Sequence, residues 1–204
     1  GGLSLKVKEL KEIGKIVLTL ITVGIILSWL LTALSAYYLL NLNLQLSILL
    51  GAILVVTGPT VIGPLLRNIK PKEKISDILK WEGIIIDPIG ALLAVLVFEA
   101  IVIGELEQAA SMVTLGILKT VVIGGILGFI FAWLLVKLLE NFFIPDYLHE
   151  SITFALVVLN FAIANYMQPE SGLFAVTLMG AVLDNQKSVT VRHIVEFKEN
   201  LRVL

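Results

Sequence analysis

Residues 57–64, which read Thr-Gly-Pro-Thr-Val-Ile-Gly-Pro, could provide oxygen ligands for a cation in the middle of an apolar stretch. A proline has no N–H and crowds the carbonyl four residues earlier, so each proline frees one backbone oxygen. Such unpaired oxygens occur within a membrane only where other protein groups or water in a cavity form hydrogen bonds to them. Together with the hydroxyl of Thr57, they are the ligands that a hard monovalent cation accepts. We predict that Gly58, Pro59 and Pro64 interrupt a helix here; the alternative is a proline kink stabilised by neighbouring helices.

A second candidate site follows in the next apolar stretch, where Glu82 precedes Asp87-Pro88. Asp87 lies about 10 Å of helical rise beyond a basic loop, where an ionisable side chain costs about 2.5–3.5 kcal/mol and marks an ion or proton path by default. Burial favours a protonated carboxyl group, whereas a bound cation favours the ionised form. Asp87 could therefore exchange a proton for a cation. Pro88 is predicted to break this helix and to free a carbonyl one turn from Asp87.

The position of Glu82 allows two interpretations. The two acids are five residues apart, which separates them by about 140° on an ideal helix, so we expect them to face different partners. Glu82 could instead lie at the membrane interface, where a carboxylate near a helix N-terminus is stabilised by the helix dipole.

The composition requires that these residues be carried by membrane helices. Of 204 residues, 58% are hydrophobic and 15% charged, and the mean hydropathy is +0.99. A soluble domain carries about 25% charged residues, so the composition excludes a soluble enzyme. The net charge of −1 and the lack of cysteine argue against a nucleic-acid partner, a disulfide scaffold and a zinc-thiolate site.

A hydrocarbon core needs roughly 20 apolar helical residues, and six stretches approach this length. We predict membrane spans at residues 13–40, 44–66, 81–103, 109–139, 151–167 and 172–183. We place residues 1–12, 67–80, 140–150 and 187–204 on the cytoplasmic side. Together with Lys15 and Lys137, which lie just beyond the first and just before the third of these segments, they contain 14 of the 15 basic residues. This distribution agrees with the positive-inside rule and leaves Lys119 on the outer side.

The motifs resemble those of the cation:proton antiporter superfamily, and specifically its sodium/proton antiporter branch. Thr57-Gly58-Pro59 is similar to the family's Thr-Asp-Pro break, residues 82–87 to its Glu-x-x-x-Asn-Asp segment, and residues 171–180 to a Ser-Gly-x-x-Ala-Val…Gly run. The resemblance implies an all-α membrane bundle with discontinuous helices, part of an inverted-repeat fold. It also implies that Asp87 binds cation or proton, that Thr57 supplies a ligand, and that Glu82 pairs with a basic residue on a later helix.

Three positions depart from the family pattern. Gly58 replaces the usual Asp, Ile86 replaces the Asn or Asp before Asp87, and Gly83 stands where a small polar residue often provides an oxygen. With a single carboxylate at this position, we favour one-for-one, electroneutral exchange.

We therefore expect residues 1–204 to be an internal part of a sodium/proton exchanger transmembrane domain, in a prokaryotic plasma membrane. The predicted activity is antiport of sodium or potassium against protons, with no cofactor. The partners are those ions, the lipid bilayer and the rest of the polypeptide. A homodimer is a further option, because Gly124-x-x-x-Gly128 permits close helix approach, although we favour packing within the subunit.

The alternatives are another secondary transporter of the potassium-efflux type, or a non-transporting membrane subunit. An intramembrane aspartyl protease needs a second acid near Asp87, and none is evident.

Overall fold

The computed structural model describes residues 2–104, 106–140, 145 and 148–186; the side chains of residues 4, 59, 60, 106–110 and 112 are outside this description. The described part is helical and contains no strand. The helices are α1 (Val7–Thr19), α2 (Ile25–Leu39), α3 (Leu44–Leu54), α4 (Pro59–Ile69), α5 (Glu73–Ile103), α6 (Leu106–Glu140), α7 (His149–Met167) and α8 (Ser171–Asn185). The expected all-α membrane bundle is thus confirmed.

Four of the described helical stretches are long and apolar enough to cross a membrane. They are Val7–Leu39, Glu73–Ile103, Val113–Glu140 and His149–Met167, and Leu44–Leu54 and Ser171–Asn185 are shorter apolar helices. The first stretch joins α1 to α2 through a π-helical turn, Leu20–Gly24. The prediction of six crossings therefore rests on two helices below the usual spanning length. The predicted cytoplasmic segment 187–204 and most of 140–150 lie outside the described residues.

The chain forms two compact units, of which one contains residues Lys8–Lys119. Its apolar core is built from α3 and α5 and the helix formed by α1 and α2; the buried members are Ile25, Ala52, Val55, Ile86, Leu93 and Val97. Asn43 caps α3 by accepting a hydrogen bond from the N–H of Leu46 at 2.8 Å, and Trp29 donates its indole N–H to the Ile48 carbonyl at 2.9 Å. The first contact satisfies the start of α3, and the second holds α3 against the helix that precedes it.

The other unit contains residues Gly1–Val7 and Thr120–Leu204. Its core joins α6, α7 and α8, with Phe131, Ala132, Leu135, Leu139, Met179 and Leu183 buried. Asn165 accepts a hydrogen bond from the N–H of Gly172 at 2.8 Å, which satisfies an otherwise open donor at the start of α8. A Cβ at Gly128 would lie 2.5 Å from the Ala175 carbonyl oxygen. The predicted small-residue contact therefore brings α6 and α8 of one subunit together.

The predicted second span is interrupted at one place. Helix α3 ends at Leu54, α4 begins at Pro59, and Gly58 between them has an extended backbone (φ −64°, ψ 129°). Residues 55–58 form the unwound segment that joins the two short helices. Pro59 occupies the first turn of α4, where its missing N–H needs no partner.

The two remaining predicted breaks, at Pro64 and Pro88, are wrong. Pro64 lies inside α4, and Pro88 lies inside the continuous helix α5. Pro88 and Ile86, two residues before it, are buried, so α5 stays helical through the proline where it is packed within the protein. A proline in a membrane helix is tolerated when neighbouring groups satisfy the carbonyl that it frees.

Candidate functional site

The unwound segment is linked to α5 by a hydrogen bond between two predicted site residues. Thr57 donates its hydroxyl to Oε1 of Glu82 at 2.8 Å. The Glu82 side chain is buried, with 9% of its surface exposed, so the hydroxyl satisfies an oxygen that has little access to water. Among the described residues, Glu82 thus has this side-chain contact with Thr57, and its pairing with a basic residue on a later helix stays a prediction.

Two glycines of α5 allow the unwound segment to approach the helix backbone. A Cβ at Gly90 would clash with the side chain of Val56. A Cβ at Gly83 would lie 2.8 Å from Cδ1 of Ile62 and 3.6 Å from the Thr57 carbonyl oxygen. The absence of side chains at 83 and 90 therefore lets residues 55–58 lie directly on α5, with the Thr57 carbonyl beside Gly83.

Asp87 lies on α5 between these two contacts. Its side chain is half-buried, and no hydrogen bond or ion pair to it is found in the described residues. Gly83 and Asp87 are four residues apart, so they lie on one face of α5, one turn from each other. The carboxylate of Asp87 and the carbonyl of Thr57 are thus on the same side of the helix. Glu82 and Asp87 have different surroundings, as the helical spacing predicted.

Ile86 occupies the position where the family pattern has an Asn or Asp. It is 3% exposed and belongs to the apolar core around α3 and α5. A polar side chain at this position would point into that core, so the site contains one carboxylate at this point of α5. Among the described residues there is also no group of three or more His, Asp or Glu side chains that could hold a metal ion. A cation here would depend on Asp87 and backbone oxygens.

The N-terminal part of α5 is held by a contact that the sequence did not predict. Glu9 of α1 accepts a hydrogen bond from the Trp81 indole at 2.8 Å, and the ammonium of Lys80 lies 3.5 Å from the same carboxylate oxygen. Trp81 immediately precedes Glu82, so α1 helps to set the position of the helix that bears the site. The sequence offered only a weak signal, an acid within a lysine-rich lead.

Comparison with known proteins agrees with this architecture. Residues 1–200 match the profile of the family described as sodium/hydrogen exchanger, transmembrane. The chain is 25% identical over 195 residues to the K(+)/H(+) antiporter NhaP2 of Shewanella oneidensis, and equally to that of Shewanella baltica. Each alignment covers 96% of this chain and 34% of the relative. The chain thus spans about a third of the length of the curated relatives that it matches.

Proposed function

Because the chain belongs to the sodium/hydrogen exchanger family, we propose that the protein exchanges a monovalent cation for protons across a prokaryotic plasma membrane. It is an integral membrane protein whose helices are long and apolar enough to cross a bilayer. This activity is secondary transport and not enzyme catalysis. The family description names sodium, whereas the two relatives are named for potassium, so both are candidate substrates.

The observation that carries the proposal is that the carboxylate of Asp87 has no bonded partner among the described residues, on a helix that is long and apolar enough to cross a membrane. Glu82 is engaged by Thr57, whereas Asp87 has no such contact in the described part of the chain. Asp87 can therefore accept either a proton or a cation without first breaking a bond. Binding of one excludes the other, and this competition couples the two fluxes.

The backbone around Asp87 supplies further ligands. Pro88 cannot donate to the Ile84 carbonyl, and this oxygen lies about one turn from Asp87. Thr57 contributes its carbonyl oxygen, because its hydroxyl is already bonded to Glu82 and the carbonyl faces α5 beside Gly83. The cation would then be held by one carboxylate and neutral carbonyl oxygens. One charge on the site corresponds to exchange of one cation for one proton, which is electroneutral.

The test uses the intact protein in proteoliposomes that contain a pH-sensitive dye. Adding sodium or potassium outside should drive proton movement in the wild type, and Asp87→Asn should abolish it, because an amide cannot carry the proton. Asp184→Asn makes the same chemical change in the last turn of α8 and should retain exchange. Protons compete for the same carboxylate, so the cation concentration for half-maximal exchange should rise as the pH falls.

Several results would contradict this proposal. Exchange at the wild-type rate in Asp87→Asn would remove Asp87 from the ion path. A wild type that responds to neither cation would favour the non-transporting membrane subunit. Rates that follow an imposed membrane potential would overturn one-for-one exchange while leaving antiport intact.

A further inference from the structure

Two residues of opposite charge lie within the apolar helices, away from the site around Asp87. Glu99 lies in the candidate span Glu73–Ile103, and Lys119 lies in the candidate span Val113–Glu140. Both side chains are exposed, and neither has a hydrogen bond or ion pair with another described residue. Ionisable side chains within membrane spans are rare and pair with one another or face a polar cavity. Each of these two charges therefore requires a partner.

A close contact between α5 and α6 sets the relative heights of these charges. A Cβ at Gly116 would lie 2.7 Å from Cδ1 of Leu96, so the helices touch at this level. They run in opposite directions, because α5 ends at Ile103 and α6 begins at Leu106, and Gly116 nevertheless lies back against Leu96. Glu99 lies about 4.5 Å from the contact towards the turn, and Lys119 lies about 4.5 Å from it on the other side. The separation along the helix axes is about 9 Å.

Helix rotation brings both charges to the same side of the α5–α6 pair. Glu99 follows Leu96 by three residues and Lys119 follows Gly116 by three, which turns each about 60° away from the contact. Since the helices are antiparallel, these rotations lead to the same side. Val97 and Val113 mark the opposite side, where they contact the apolar core. The exposure of Glu99 and Lys119 agrees with this placement.

The side chains are also inclined towards each other. In an α-helix the Cα–Cβ bond tilts towards the N-terminus. The N-terminus of α6 lies at the turn end of the pair and that of α5 at the opposite end, so Lys119 leans towards Glu99 and Glu99 towards Lys119. The flexible stem of lysine lets its ammonium move along the helix surface. We propose that Glu99 and Lys119 form an ion pair within the membrane that joins the outer half of α5 to α6.

This pair accounts for two features of the sequence. Lys119 is the one basic residue that lies neither in nor beside a segment that we assign to the cytoplasmic side. It lies about level with Leu93, well inside the predicted span 81–103. Neutralisation of its charge by Glu99 explains why a lysine lies at that depth. The pair also fastens the helix that bears Asp87 to α6 by a contact that the core does not supply.

The test is a double-mutant cycle on the intact protein in lipid nanodiscs, with the thermal midpoint as the readout. Glu99→Gln and Lys119→Gln should each lower the midpoint by about 2–4 °C, because each leaves one charge unpaired. The double variant E99Q/K119Q should be no less stable than the worse single variant, and the exchanged pair E99K/K119E should recover at least half of the loss. The control is E99Q combined with Lys15→Gln. Lys15 is an exposed residue of α1, so the change in thermal midpoint caused by Lys15→Gln should simply add to that caused by Glu99→Gln.

Additive effects of Glu99→Gln and Lys119→Gln, with no recovery in E99K/K119E, would overturn the ion pair. If Glu99→Lys alone does not accumulate in the membrane, the comparison rests on the neutral variants. Accumulation restored by adding Lys119→Glu supports the pair, and failure to restore it contradicts the pair. Because the readout is stability, these outcomes do not depend on whether the protein exchanges cations.

Discussion

Replacing Thr57 by valine removes the hydroxyl that holds the unwound segment to α5 while nearly keeping the shape of the side chain. The bond is 2.8 Å long and ends on a carboxyl oxygen of a residue that is 9% exposed. Removing a donor from a buried acceptor costs about 1–3 kcal/mol. Thr57 itself is exposed, so a water molecule can partly replace its hydroxyl, and we expect about 1 kcal/mol. That loss corresponds to a factor of about 5 in the folding equilibrium.

The assay compares Thr57→Val, Thr57→Ser, Glu82→Ala and the double variant T57V/E82A in the intact purified protein. The free energy of unfolding is the quantity to be measured, with the exchange rate in proteoliposomes recorded alongside. Thr57→Ser keeps the hydroxyl and should stay close to the wild type. In T57V/E82A the combined loss should be smaller than the sum of the single losses by about 1 kcal/mol, since the shared bond can be lost only once.

Two outcomes would refute this reasoning. Additive losses in T57V/E82A would show that the hydroxyl and the carboxyl group do not interact in the membrane. A Thr57→Ser variant as unstable as Thr57→Val would show that the methyl group, and not the hydroxyl, stabilises the segment. Both Thr57 variants keep the backbone carbonyl, so both should retain exchange even where stability falls. Loss of exchange in the serine variant would argue against the carbonyl as the ligand.

Two pairs of glycines provide further predictions. In each pair, one glycine lies at a close helix contact, and the other, on the same or the neighbouring helix, is its control. The quantity to be measured is the thermal midpoint of the intact protein. Gly90→Ala should destabilise the protein by about 1–3 kcal/mol, because its methyl group would clash with Val56. Its control is Gly63→Ala, whose methyl group meets nothing within 4 Å. This variant should stabilise α4 by up to about 1 kcal/mol. Gly128→Ala should destabilise by a similar amount because it meets backbone at 2.5 Å, and Gly125→Ala, with its nearest neighbours at 4.0 Å, should be neutral or slightly stabilising. Equal midpoints within either pair would contradict the close helix approach.

The interruption near residue 58 was predictable because its cause is local. Gly-Pro at 58–59 provides an extended residue followed by one suited to the first turn of a helix, and the structure uses it in that way. Pro64 and Pro88 have the same local chemistry, yet their helices continue. Whether a proline ends a helix depends on the packing around it, and Pro88 is buried against other helices. The packing around a proline depends on residues far away in the chain, so it cannot be deduced from the local sequence.

The contacts of the site were less predictable than its members. Thr57 and Glu82 are 25 residues apart, and their bond depends on how the unwound segment crosses α5. Gly83 and Gly90 have no functional group, and they matter only because their lack of a side chain leaves space for the unwound segment. The contact between Glu9 and Trp81 spans 72 residues and follows from the packing of α1. The role of Asp87 stays a prediction, which the structure supports by leaving its carboxylate accessible.

The three acids of the membrane part of α5, Glu82, Asp87 and Glu99, lie on one continuous helix, and their surroundings differ. Glu82 accepts the Thr57 hydroxyl at Oε1, which gives this carboxyl group a structural contact, and its part in ion binding stays a prediction. Glu99 faces the side of the α5–α6 pair that bears Lys119, and a carboxylate neutralised by an ammonium group has little attraction left for sodium or potassium. Asp87 lies between them, half-buried and beside an unwound backbone. We therefore expect proton and cation to compete for Asp87, because it has no bonded partner among the described residues that it would first have to release.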